Sequence, residues 1–143
     1  MSRVLEVTNL EGGYGKVQIM NGVDLYVDEG EFVTVIGPNG CGKSTFIKLI
    51  FGIATYYGGS VKHKGEEVSG WRTDSLVNRG IAYVPQVDNV FPNLSVRENL
   101  EMGGINLSIP VLNERIERTL EMFADLKSRM SDVAASLSGG QRQ

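Results

Sequence analysis

The chain has 143 residues, 41% of them apolar, which suits one packed core in a globular domain. A net charge of −3 supplies no basic surface for DNA or RNA, Met1–Leu10 holds no apolar core of signal-peptide length, and no run approaches a membrane span. The single cysteine, Cys41, cannot close an internal disulfide, which fits a reducing compartment and leaves any membrane connection to a partner protein.

Val4 to Leu10 reads as a strand, and so does Gly22 to Val27, where Val23, Leu25 and Val27 alternate with Asp24 and Tyr26. Between them Glu11-Gly12-Gly13-Tyr14-Gly15 reads as a flexible turn carrying one exposed aromatic, and Asp28-Glu29-Gly30 as a second turn. Phe32 to Ile36 is β-branched and aromatic without alternation, as expected of a strand covered on both faces. It leads into Gly37–Ser44, GPNGCGKS, which matches the phosphate-loop pattern G-x-x-x-x-G-K-[ST]. Thr45 to Phe51, apolar apart from Lys48, reads as a buried helix stopped at Gly52.

The residue types of that loop carry a definite chemistry. Gly37, Gly40 and Gly42 have no Cβ to keep a ligand from the backbone. The amides of Gly42, Lys43, Ser44 and Thr45 then converge at a helix start, where unpaired N–H groups and the helix dipole favour an anion. Lys43 adds a positive charge for the outer phosphates, and the Ser44 hydroxyl can ligate magnesium. The loop is read as the seat of a nucleotide phosphate tail. Alkylation of Cys41 within it is expected to block nucleotide binding, and bound nucleotide to protect the thiol.

Further along, Ser60 to Lys64 and Glu66-Glu67-Val68 read as strands turned at Gly65, forming a small antiparallel sheet beside the nucleotide core. Asp74 to Asn78 reads as a short helix ended by Gly80, and Ile81 to Val84 as a second buried strand stopped by Pro85. Gln86 then sits at the C-terminal end of a strand, where ligands of open α/β sheets bind. Ser95 to Gly103 begins with the capping box Ser95–Glu98, and Asn113 to Leu126 is amphipathic through Ile116, Leu120 and Phe123. After Phe91 the pattern becomes purely helical, which marks a subdomain boundary. His63 is expected to be a solvated strand histidine, Trp71 surface packing, and Met102, Met122 and Met130 core filler.

The final residues Leu137 to Gln143, LSGGQRQ, resemble the signature motif of ATP-binding cassette (ABC) ATPases. With GPNGCGKS and YVPQ (Tyr83 to Gln86) before it, the motifs stand in the family's order, and the resemblance covers essentially the whole chain. The stretch Val90 to Leu100, VFPNLSVRENL, is most similar to ATP-binding subunits of branched-chain amino-acid importers. The resemblance implies an α/β P-loop NTPase fold of the ABC type, with residues 1–90 a nucleotide-binding core bearing an antiparallel β subdomain and a phosphate loop at 37–45. Residues 91–143 would form an α-helical subdomain ending in the signature motif. It implies ATP and Mg2+ as cofactors, bound by Gly37, Asn39, Gly40, Cys41, Gly42, Lys43, Ser44 and Thr45. Tyr14 would stack on adenine, Ser44 and Gln86 would meet the magnesium ion, and Gln86 would position the attacking water beside Lys43. Ser138, Gly139, Gly140 and Gln141 would close over ATP held by a second subunit.

The implied function is ATP binding, and hydrolysis in the full-length parent, powering transport of amino acids. The implied partners are a second ATP-binding subunit and membrane permease subunits at the cytoplasmic face. The alternatives are a non-transport ABC ATPase, or a nucleotide-binding fragment without catalysis of its own. The family's second metal-binding strand, catalytic glutamate and switch histidine have no match here, so the chain is expected to be the N-terminal part of an ABC ATPase lacking the C-terminal part of the core sheet. Phe32 to Ile36 would then expose both edges, with marginal stability and self-association as the expected result.

Overall fold

The computed structural model describes residues 2–142. The chain divides into two compact units, Met1–Tyr83 and Val84–Gln143.

The first unit is organised by one antiparallel sheet. Strand β1 (Arg3–Tyr14) pairs with β2 (Val17–Asp28) and, on its other edge, with β3 (Thr55–His63), which carries the short β4 (Glu66–Glu67), giving the order β2-β1-β3-β4. The β1–β2 hairpin closes at Tyr14↔Val17, so Glu11 to Tyr14 is strand, not the flexible turn expected from its glycines. Pairing overrides composition here: Gly12 faces Met20 on one side and Tyr56 on the other. A side chain at Gly12 would meet Leu49 Cδ2 at 2.3 Å and the Thr55 carbonyl at 2.5 Å, so the glycine lets helix α1 (Lys43–Ile50) lie against the sheet. In β2 the expected alternation holds, with Val23, Leu25 and Val27 half-buried and Asp24 and Tyr26 exposed.

Helix α1 buries Thr45, Phe46, Leu49 and Ile50 against Val7, Leu10 and Val61 of the sheet, while Ile47 stays exposed, so the helix is covered on one side and not buried all round. Each fully buried leucine of this kind contributes about 1.5–3 kcal/mol. Helix α2 (Thr73–Asn78) closes the core with Leu76. Trp71 packs half-buried against that core, and the Arg79 guanidinium lies over its ring at 5.4 Å while bonding Glu66.

The predicted strands Phe32–Ile36 and Ile81–Val84 form no ladder among the described residues. A strand covered on both faces needs hydrogen-bonding neighbours, and β1 already has both edges filled by β2 and β3. Phe32 and Ile36 are accordingly 94% and 86% exposed.

His63 also departs from expectation. It is buried at the end of β3, and burial, followed by the nearby Lys64 charge, holds its imidazole pKa below the ordinary value.

The second unit is helical: α3 (Val96–Gly103), α4 (Ile109–Met122), α5 (Ala124–Lys127), a 3-10 turn at Ala134–Ser136, and α6 (Gly139–Arg142). The expected capping box is present: Ser95 N–H donates to Glu98 Oε2 at 2.7 Å and Glu98 N–H to Ser95 Oγ at 3.2 Å. The bond from Ser95 N–H is the first cause of the depressed Glu98 carboxyl pKa. Asn99 clips the preceding loop, accepting from Phe91 N–H at 2.7 Å and donating to the Phe91 and Ser95 carbonyls at 3.0 and 2.9 Å. The long helix expected over 113–126 begins earlier and breaks at Phe123, whose φ of −123° and ψ of 63° leave the helical region. Ile116 and Leu120 are buried as expected, but Phe123 is exposed, and so are Met102 and Met122.

Candidate functional site

The loop between Gly37 and Gly42 is exposed and ends at α1, with Gly42 as its N-cap at φ 95°. That left-handed backbone is open to glycine and strained for any other residue here. A Cβ on Gly42 would also sit 2.1 Å from Met20 Cε. Because glycine has no side-chain acceptor, the start of α1 is uncapped. Among the described residues no acceptor meets the N–H groups of Lys43, Ser44 and Thr45. Unpaired donors at a helix start are what a phosphate tail satisfies.

Lys43 folds back over the loop, its Nζ donating to the Gly37 and Pro38 carbonyls at 2.8 Å each and lying 3.8 Å from Cys41 Sγ. The ammonium is thus held against the loop by neutral carbonyls. Gly37 is confined too, since a Cβ there would meet Cys41 Sγ at 2.8 Å. Asn39 and Gly40 lie on the exposed crest of the loop and Ser44 is exposed, whereas Thr45 is buried on the core side of α1. These residues suit a phosphate tail with its magnesium ion: amides of residues 42–45 with Lys43 for phosphate oxygens, and the Ser44 hydroxyl for magnesium. Among the described residues no group of three or more His, Cys, Asp or Glu is placed to hold a metal ion.

Tyr14, at the end of β1, is 43% exposed, and Lys48 Nζ of α1 lies 6.0 Å from its ring centroid. Around it, Gly15 N–H donates to Thr55 Oγ1 at 3.2 Å and Tyr57 Oη–H to the Gly15 carbonyl at 2.8 Å. The hairpin tip is therefore braced while the tyrosine ring stays available.

Gln86, Ser138, Gly139, Gly140 and Gln141 belong to the second unit, and all are exposed. Gln86 follows Pro85 outside any strand. At the signature turn Gln141 N–H donates to Ser138 Oγ at 3.3 Å, while Gln141 Oε1 accepts from Ser138 N–H at 3.0 Å. This is the reciprocal capping pattern S-x-x-Q, a second signal carried by the same Ser138–Gln141 residues beneath the signature motif. Gln143, the last residue of the LSGGQRQ match, lies outside the described residues. A mainly apolar groove of about 640 Å³ in this unit is lined by residues such as Leu100, Met122, Phe123 and Leu137, with Gly140, Gln141 and Arg142 also along it.

The sequence pattern of the ABC transporter family matches residues 20–143. The chain belongs to the ABC transporter family. Among curated relatives, the probable branched-chain amino acid transport ATP-binding protein LivF of Archaeoglobus fulgidus is 39% identical over 140 residues, covering 98% of this chain and 59% of the relative. The high-affinity branched-chain amino acid transport ATP-binding protein BraG of Pseudomonas aeruginosa is 38% identical over 130 residues, covering 91% of this chain and 56% of BraG. The chain thus spans somewhat more than half the length of these relatives. Among solved structures, the ADP conformation of MJ1267, an ATP-binding cassette of an ABC transporter, superposes with a TM-score of 0.82 at 28% identity, over 99% of this chain and 61% of that one. The fold is therefore that of the P-loop, ABC-type ATPases, represented here by its antiparallel sheet, phosphate-loop helix and helical unit.

Proposed function

We propose that the chain binds the phosphate tail of MgATP on its Gly37–Thr45 loop, as part of the ATP-binding subunit of an importer for amino acids. The observation that carries this is the uncapped start of α1, where the N–H groups of Lys43, Ser44 and Thr45 meet no acceptor among the described residues. Amides of residues 42–45 hold phosphate oxygens, Lys43 turns from the Gly37 and Pro38 carbonyls toward the outer phosphates, and Ser44 supplies a magnesium ligand. Tyr14 offers the adenine a flat face. A magnesium ion held by the Ser44 hydroxyl would supply positive charge against the negative charge that develops on the phosphates in hydrolysis.

Gln86 is assigned to orient water, and Ser138 to Gly140 to contact ATP on a second subunit's loop. Residues 1–90 are read as the nucleotide-binding part and residues 91–143 as the helical subdomain that carries the signature. Among the described residues no helix is long and apolar enough to cross a membrane. Coupling to transport is assigned to permease subunits, supported by the likeness to the transport ATP-binding proteins LivF and BraG. Amino acids are the favoured cargo because LivF and BraG carry that assignment in their names. Acidic balance and the VFPNLSVRENL stretch disfavour a role on nucleic acid.

The test is an equilibrium titration of the chain with MgATP, with hydrolysis followed in the same sample. Saturable binding without turnover is expected. Absence of saturable binding would remove the assignment of the loop in this chain, and turnover would show that Lys43 and Gln86 suffice for catalysis.

A further inference from the structure

We propose that Arg129 is a positioning residue for the signature motif, holding the turn that presents Ser138, Gly139 and Gly140. This rests on the reading that those residues meet ATP on a second subunit. A Cβ built on Gly139 or Gly140 would touch nothing within 4 Å, so the two glycines themselves are not held by packing, although Leu137 before them is buried. Besides Arg142 N–H to the Ser138 carbonyl at 3.0 Å and Asn89 Nδ2–H to the Arg142 carbonyl at 3.2 Å, the hydrogen bonds of the turn meet at Gln141. Its Oε1 accepts from Ser138 N–H at 3.0 Å and from Arg129 Nη1–H at 2.9 Å, while its own N–H donates to Ser138 Oγ at 3.3 Å. Gln141 Oε1 is thus committed inside the motif.

Arg129 is itself braced. Its Nε–H donates to Asp132 Oδ2 at 2.9 Å, and its side chain is 32% exposed. The segment that carries it is pinned to the start of α3: Arg97 N–H donates to the Met130 carbonyl and Val96 N–H to the Asp132 carbonyl, both at 3.0 Å, and Ala134 N–H to the Leu94 carbonyl at 2.8 Å. The arginine therefore ties the Ser138–Gln141 turn to the segment pinned on α3. One planar guanidinium serves two acceptors in different directions, Asp132 and Gln141. A lysine ammonium, a point charge on a flexible stem, cannot reproduce that fork.

The experiment compares Arg129→Lys and Arg129→Met with the unaltered 143-residue chain. MgATP affinity for the chain's own loop should stay within about twofold, because Arg129 lies outside that loop. MgATP-dependent association, taken as the part abolished by Lys43→Ala, should weaken about tenfold. Amide exchange at Ser138, Gln141 and Arg142 should quicken several-fold while α4 stays protected, which separates loosening of the turn from unfolding. Unaltered-chain exchange at 138–142 in Arg129→Lys, or unaltered MgATP-dependent association, would overturn the inference alone. MgATP binding without any association in the unaltered chain would overturn the reading of the signature motif and this inference with it.

Discussion

Replacing Lys43 by alanine removes the one full charge held over the phosphate loop. In the ligand-free loop that ammonium is held by two neutral carbonyls, Gly37 and Pro38, at 2.8 Å each, so its removal takes away two charge-assisted bonds but uncovers no buried carboxylate. The loop is exposed, and the loss of folding stability should stay within about 1 kcal/mol. Against a phosphate the same charge is worth more. A unit pair about 4 Å apart contributes about 4 kcal/mol at a surface-like effective dielectric of about 20, and about 1 kcal/mol in the bulk-water limit. A half-buried lysine on an exposed loop lies between, at about 2–3 kcal/mol, or roughly a 30- to 150-fold loss of MgATP affinity. Calorimetric titration of both proteins at about 0.1 M salt measures this, with a thermal melt as the folding control. Because Lys43 addresses outer phosphates, AMP affinity should fall far less than ATP affinity. Equal MgATP affinity in Lys43→Ala, with an unchanged melt, would refute the phosphate-loop reasoning.

Asn99→Leu keeps the volume but deletes the bonds that tie Phe91 and Ser95 to α3, and should cost about 2–3 kcal/mol, read as a lower melting temperature of the helical unit. Lysine at both Phe32 and Ile36, which are almost fully exposed, should reduce self-association in analytical ultracentrifugation without lowering the melt of the sheet. Unchanged association would clear that segment of the role. Stability should also fall in two stages on acidification. The imidazole of His63 is held below its ordinary pKa by burial, so the unfolded chain binds the extra proton first, and stability present above about pH 6.5 declines as pH drops through the folded value. The Glu67 carboxyl is held below its usual range by Ser60 and Ser69 hydroxyl donors, so a second decline begins below about pH 4.3. His63→Gln should remove the first stage from a melt-versus-pH series and leave the second.

Features governed by a few adjacent residues are legible in the sequence. The phosphate loop, the Ser95–Glu98 capping box and the alternation of Val23, Leu25 and Val27 all follow from local φ preferences or from donors within one turn. Tyr14 is legible as an exposed aromatic, though not as the last residue of a strand. The guanidinium of Arg129 carries no such signal, because its partners Asp132 and Gln141 become a unit only when the segment around residue 130 is pinned to α3. Likewise nothing in the run from Asn113 to Leu126 announces a break at Phe123, where the chain leaves the helical region and turns an expected core residue out to solvent.

The candidate site is written in one short stretch: Gly37 to Thr45, with a lysine and a serine at fixed spacing, can make an anion hollow from backbone geometry alone. Which strands find their partners is settled only by long-range pairing. Glycine-rich Glu11 to Tyr14 is strand because β2 and β3 bond it on both edges, while the strongly β-prone Phe32 to Ile36 is not, because no described strand lies beside it. Propensity acts residue by residue, whereas a ladder is made by two segments, and the second can lie far away in the chain.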